Sequence, residues 1–312
     1  MDKSTTLYLS HPDCLRHRMD ADHPECPARV TAIEDRLRAA GLFDLLQREE
    51  APKASREQLE RVHDARYVRR ILESRLEPGE QRLLDPDTYM NAHTADAALR
   101  AAGAVVRAVD RVLAGEVRTA FCNVRPPGHH AVRAQAMGFC FFNNVAVGAR
   151  HAIAVHGLAR VAIIDFDVHF GNGTADTFAD DPSVMLCSSY QYPLYPLAGP
   201  APGCERLINV PLPPGSGGAE FRAAVAAAWF GPLAAFRPEL LFFSAGFDAH
   251  AADPLASLRL CEDDFAWVTR EVLRVTQAST ANRAVSTLEG GYDLDALGRS
   301  AAAHVAVLVD PA

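Results

Sequence analysis

Val161-Ala162-Ile163-Ile164-Asp165-Phe166-Asp167-Val168-His169-Phe170-Gly171-Asn172-Gly173-Thr174 sets four consecutive apolar residues directly against two acids and a histidine. A short unbroken apolar run suits a strand covered on both faces, as in a parallel sheet with helices above and below. The polar residues then fall at the carboxyl end of that strand, where open α/β sheets keep their ligand crevice. Working outward, the strand is predicted over 161–166, with others over 6–9, 119–124, 183–187, 239–244 and 284–288. Helical composition fills the intervals at 27–40, 95–113, 143–156, 218–236, 263–277 and 295–309, several stopping at Gly or before Pro. The alternation predicts an α/β fold with right-handed crossovers and a mainly parallel central sheet flanked by helices. No repeat of fixed period and no linker divides the chain, and the Pro- and Gly-rich stretches 192–203 and 211–218 read as loops. The expectation is a single domain over 1–312.

Composition narrows the function classes. Hydrophobic residues are 49% and charged residues 22%, which permits a sizeable core and excludes disorder. A formal charge of −8 argues against a phosphate-backbone binder, so no nucleic-acid partner is expected. No run of 18 apolar residues occurs, and no membrane partner is expected. Met1-Asp2-Lys3-Ser4 leads straight into apolar residues without a charged, cleavable leader, and the seven cysteines are odd in number and lack CxxC spacing. These features suggest reduced thiols and a cytoplasmic location. Nothing in the sequence signals an oligomeric state.

The chemically distinctive residues gather behind four predicted strands. After 119–124 comes Arg125-Pro126-Pro127-Gly128-His129-His130, and after 161–164 the Asp165-x-Asp167-x-His169 series. Behind 239–244 stands Ala245-Gly246-Phe247-Asp248-Ala249-His250, and behind 284–288 Glu289-Gly290-Gly291-Tyr292. Four polar clusters at four strand ends point to one site. In extended chain, alternate side chains share a side, so Asp167 and His169 reach one ion together. Asp248 completes three ligands with an open position, the pattern of a catalytic rather than a structural zinc, although Fe(II), Co(II) and Mn(II) accept the same donors. The plainer alternative for Asp-x-Asp-x-His alone is a capped strand end. The adjacent pair His129-His130 in a rigid turn reads either as satisfied polar residues or as a general base with an acid or electrostatic partner. Tyr292, after two glycines, either closes a plain turn or donates a phenol hydrogen bond to a developing oxyanion. In Gly138-Phe139-Cys140-Phe141-Phe142 the last two aromatics read as core. Phe139 and the stretch 190–195 are candidates for slot walls.

Together these segments resemble the histone deacetylase superfamily of arginase-like fold, on its class II, bacterial side. The matching pieces are His23-Pro24-Glu25-Cys26-Pro27-Ala28-Arg29, 125–131, 138–144, 165–174, 244–250 with Asp253-Pro254-Leu255, and 289–292, in family order over about 270 residues. The resemblance implies a zinc-dependent amidohydrolase that removes acetyl or other acyl groups from a lysine side chain by activated water. It implies one catalytic Zn2+ on Asp167, His169 and Asp248. His130 would be the general base and acid, His129 its electrostatic partner, Asp165 the acid that orients His129, and Tyr292 the carbonyl-polarising phenol. Asn172 is the class II-like choice beside His130. One or two structural K+ ions are implied, the first at Asp165, Asp167, His169 and Ser188, the second at carbonyls near Phe178, Asp181 and Val184. Gly138, Phe139, Tyr195 and Leu255 would line the acyl-lysine tunnel.

Phe170 and Tyr190 depart from the family's usual histidines and bear on tunnel shape. Leu255 stands at a gatekeeper position where a polyamine deacetylase carries Glu, which favours an acylated lysine peptide or protein over a small acylated amine. An acetylpolyamine amidohydrolase is the alternative. A catalytically weak acyl-group binder and a dinuclear arginase-type hydrolase are the more distant rivals.

Overall fold

The computed structural model describes residues 6–20, 22–197 and 205–311; Met1-Asp2-Lys3-Ser4, Cys204 and part of the predicted loop 192–203 lie outside them. Among the described residues there are ten strands: β1 (Thr6–Ser10), β2 (Gln47–Glu50), β3 (Gln81–Asp85), β4 (Thr88–Asn91), β5 (Thr119–Cys122), β6 (Val161–Asp165), β7 (Val184–Gln191), β8 (Leu207–Leu212), β9 (Leu240–Ala245) and β10 (Ala284–Leu288). The α-helices are α1 (Asp13–Arg16), α2 (Ala28–Ala39), α3 (Arg56–Glu60), α4 (Ala65–Leu72), α5 (Thr94–Leu113), α6 (Asn144–His156), α7 (Asn172–Phe178), α8 (Gly218–Phe236), α9 (Glu262–Thr280) and α10 (Leu294–Val309).

Eight strands form one sheet in the order β2-β1-β5-β10-β9-β6-β7-β8, parallel throughout. The apolar run of β6 shows why it must be covered twice. Val161 and Ile163 belong to one core with Val105, Val109 and Phe142, whereas Ala162 and Ile164 belong to the other with Trp229, Phe265 and Leu308. Alternate side chains leave opposite faces of a strand, so each face needs its own layer. Helices α5 and α6 supply one layer, and α8, α9 and α10 the other. Helix starts follow local chemistry. Asn143 caps α6 by accepting the Ala146 N–H at 3.0 Å, and Gly157 ends it at φ +70°.

All six predicted strands and six predicted helices are present, within four residues at each end. The elements that sequence missed carry no long apolar run. β2 is Gln-Arg-Glu-Glu at a sheet edge, and β3 pairs β4 as an antiparallel hairpin. β8 corrects the loop reading of 211–218, whose first two residues end an edge strand. Pro211 is tolerated there because an edge strand need not donate every N–H. Strand β7 also runs to Gln191, because β8 continues to pair with it through Leu212. Among the described residues no helix is long and apolar enough to cross a membrane.

Candidate active site

The central strands β5, β6, β9 and β10 deliver their carboxyl ends to one place, and the four polar clusters meet there. Asp167 and His169 do not lie in extended chain, as the alternation argument assumed, because β6 stops at Asp165. Two successive side-chain turns do the work instead. Asp165 Oδ1 accepts the Asp167 N–H at 3.1 Å, and Asp167 Oδ1 accepts the His169 N–H at 2.9 Å. Asp248 arrives from the loop after β9 and accepts the Val168 N–H at 2.9 Å. His169 Nδ1 then stands 3.0 Å from Asp167 and 3.2 Å from Asp248, and ligand atoms of the three residues lie within 4.8 Å of one another. Gly290 lies against both carboxylates, where any Cβ would overlap the Asp248 carboxylate, and its N–H donates to Asp167 Oδ2 at 2.8 Å.

The histidine pair is fixed as firmly. His129 Nδ1 is 3.0 Å from Asp165 Oδ2, and His130 Nδ1 is 2.8 Å from Asn172 Oδ1, with the two rings 4.0 Å apart. Burial disfavours a charge on either ring. For His129 the Asp167 and Asp165 carboxylates outweigh burial and hold the imidazole well above its usual pKa. For His130 burial and then the neighbouring charges of His129 and His169 push it well below. Environment thus pushes the two adjacent rings in opposite directions.

Three buried carboxylates in one cluster call for compensation. Asp248 Oδ2 is buried and, although close to His169, has no aligned hydrogen-bond donor. Asp248 is raised by burial and by Asp167, and His169, despite burial, is pushed up to about 10 by Asp167 and Asp248. A bound cation would relieve both shifts, because metal and proton compete for such donors. Two carboxylates and an imidazole with an orphaned buried oxygen fit a divalent ion such as zinc. For the first monovalent site, Ser188 Oγ is buried without a hydrogen-bond partner beside Asp165, its register partner in the sheet. For the second, the carbonyls of Phe178 and Asp181 already accept the Asp181 and Val184 N–H groups in the turn before β7.

A cavity of about 250 Å3 opens onto this centre, lined by His130, Gly138, Phe139, His169, Leu194, Tyr195, Leu255, Tyr292 and Asp87. Gly138 and Phe139 form a two-residue turn, closed by reciprocal Met137–Cys140 hydrogen bonds, with φ of +54° and +68°. Positive φ at both central residues is the type I′ signature, and it turns the Phe139 ring into the cavity against Tyr292 at 5.9 Å. Tyr195 crosses His130 edge-on at 5.0 Å, and its buried hydroxyl has no hydrogen-bond partner. Phe141 and Phe142 are fully buried core, and Phe170 packs on Tyr190 behind the site.

Three residues were not singled out by sequence. Asp87 lines the cavity from the β3–β4 hairpin; Asp85-Pro86-Asp87 reads simply as a turn. Glu289 is fully buried, and its Oε2 accepts the N–H groups of Gly128 at 2.6 Å and His129 at 3.1 Å, holding the histidine loop. Burial pushes its carboxyl up to about 7. Asp253 accepts the N–H of Leu255 at 3.0 Å and of Tyr292 at 2.7 Å, tying gate to phenol. Behind them Arg29 donates to the Glu289 and Gly291 carbonyls and lies 5.0 Å from the Tyr292 ring.

The chain is similar to known proteins over almost its whole length. Residues 23–308 match the model of the histone deacetylase domain. The chloroplastic histone deacetylase 14 of Arabidopsis thaliana is 37% identical over 95% of this chain and 75% of its own. The human polyamine deacetylase HDAC10 is 38% identical over 98% of this chain, which spans about half (48%) of that protein. In structure, the HDA15 HD domain superposes with a TM-score of 0.90 at 31% identity, covering 98% of this chain and 88% of that one.

Proposed function

The chain belongs to the histone deacetylase family, and from that premise we propose that it is a zinc-dependent amidohydrolase that removes acyl groups from the lysine side-chain amine. The observation that carries the reading is that His169, clustered with Asp167 and the orphaned carboxylate of Asp248, lines a cavity that His130 and Tyr292 also line.

A zinc ion on Asp167, His169 and Asp248 supplies Lewis-acid polarisation of the amide carbonyl and lowers the pKa of water toward neutrality. The residues of this chain do the rest. Phe139 and Tyr195 bracket the methylene stem of the acylated side chain and keep bulk water from the floor. Asn172 fixes the proton of His130 on Nδ1, leaving Nε2 free to take a proton from the attacking water. The same nitrogen returns that proton to the departing amine, so acetate and a free lysine amine result. Cationic His129, held by Asp165, stabilises negative charge nearby, and the Tyr292 hydroxyl donates to the carbonyl oxygen as it gains charge. K+ at Asp165, Asp167, His169 and Ser188, and a second near Phe178, Asp181 and Val184, would brace the loop that carries the ligands.

A second reading, an acetylpolyamine amidohydrolase, draws on Asp87 in the cavity lining and on the similarity to a polyamine deacetylase. Leu255, apolar at the gate, favours the peptide. Turnover of an acetyl-lysine peptide against acetylputrescine by the zinc-loaded protein separates them. Peptide preference supports the first reading, turnover of the polyamine alone replaces it with the second, and no turnover of either ends both.

A further inference from the structure

Away from the cavity, a second group of ligand-type side chains converges between α5 and α6. Asp110 of α5 stands with its Oδ1 2.8 Å from Nε2 of His151 and 2.8 Å from Nε2 of His156, both on α6. One donor atom from each residue lies within 4.8 Å of the other two, and among the described residues only this trio and the Asp167 cluster meet that condition. We propose that Asp110, His151 and His156 form a second metal site, which takes one divalent transition ion and fastens α5 to α6.

The donor set fixes the class of ion. Two imidazoles and one carboxylate suit Zn2+, Ni2+, Co2+ or Cu2+, whereas Mg2+ and Ca2+ want oxygen alone. Bonds of about 2.0–2.2 Å place adjacent donor atoms roughly 3–3.5 Å apart. Asp110 therefore moves out from each ring by only a few tenths of an ångström. His151 is buried and His156 lies at the surface with 27% of its side chain exposed, so an ion enters from the solvent side and keeps an open position there.

Charge around the trio sets one condition. Arg61 NH1 lies 3.2 Å from Nδ1 of His151, and a guanidinium only donates, so the proton of that ring sits on Nε2, where the ion must bind. Binding moves that proton to Nδ1 and requires Arg61 to swing away. It has somewhere to go, because its NH2 already donates to Glu57 at 2.8 Å. A side chain at 61 that accepts from Nδ1–H strengthens the site. Glutamine can do so, and outer-shell partners of this kind change affinity about 10-fold or more.

The test is zinc bound per chain at saturation, by equilibrium dialysis of the folded protein at neutral pH, with the deacylation rate measured in parallel. Wild type binds two equivalents. His156→Ala binds one and keeps its full rate, and Arg61→Gln binds the second equivalent about 10-fold more tightly. Wild type saturating at one equivalent, or His156→Ala retaining two, overturns the proposal. Asp167→Ala reads the other site independently. If it keeps both equivalents while His156→Ala loses one, the second site stands and the ligand assignment under the proposed function falls.

Discussion

Asn172 Oδ1 stands 2.8 Å from Nδ1 of His130, so the residue behind the proposed general base is neutral, whereas its neighbour His129 is backed by the Asp165 carboxylate. A carboxylate behind His130 would favour the protonated ring. Burial together with the charges of His129 and His169 now keeps that ring neutral. Asn172→Asp should raise its pKa and move the acid limb of the kcat/KM profile to higher pH. An unmoved limb means that His130 is not the base.

Tyr292 is held by Arg29 and Asp253 with its ring toward the cavity. Tyr292→Phe keeps the ring and removes one donor to the developing oxyanion. Turnover should fall by roughly 10²–10³ with zinc content unchanged, and a steady-state assay with metal analysis checks both halves.

Glu289 separates positioning from chemistry. Glu289→Ala leaves the buried amides of Gly128 and His129 and the Ser244 hydroxyl without their acceptor. Each such loss costs about 1–3 kcal/mol, so both melting temperature and turnover should drop. Glu289→Gln keeps an acceptor oxygen and should restore most of both. Equal damage in the two variants contradicts the hydrogen-bonding role.

Two histidines remote from the chemistry contribute to the acid side of the stability profile. His63 accepts the Asn143 N–H at 2.9 Å, and burial holds its pKa down at about 4. His304 lies between Thr269 and Ser286 among Phe121, Phe166, Phe243 and Phe247, and burial holds it at about 3. Both titrate near 6.5 once unfolded, so below that pH the unfolded chain binds more protons than the folded one. The stability these two rings contribute is full above about pH 6.5 and falls toward pH 4, by up to about 1.4 kcal/mol per unit for each ring. Glu289, raised to about 7, acts with the opposite sign between pH 4.5 and 7, so the rings are read as a difference: the stability change from pH 7 to 5, from urea midpoints, should tilt less toward acid loss in His304→Gln than in wild type, whatever its absolute stability.

The legible parts of this protein were those in which local composition carries the tertiary demand. The run at 161–164 had to be a doubly covered strand, and Asp165, Asp167 and His169 had to follow at its end. The edge strands β2 and β8 were opaque because an exposed edge does not require apolar residues, and their pairing is decided by neighbours far along the chain. Asp167 and His169 were rightly paired for a wrong local reason, since side-chain turns rather than strand alternation bring them together. Glu289 and Asp87 gave no signal of their own, because a buried acceptor and a cavity-lining acid acquire meaning only from loops that other strands bring up. Asp110 and the two histidines are about 40 residues apart in sequence, and the His-x4-His spacing of 151 and 156, although common in zinc sites, carries no signal until α5 brings up a third ligand.

Hydrolysis of an acylated lysine at the Asp167–His169–Asp248 centre should depend on metal, and acetate release from an acetyl-lysine peptide by chelator-stripped protein, followed as zinc is returned, measures that dependence. No release is expected before zinc, a rise to a hydroxamate-sensitive plateau with it, and no rise in Asp167→Ala. Release that persists in the stripped protein, or a zinc-loaded wild type that releases no acetate, contradicts it.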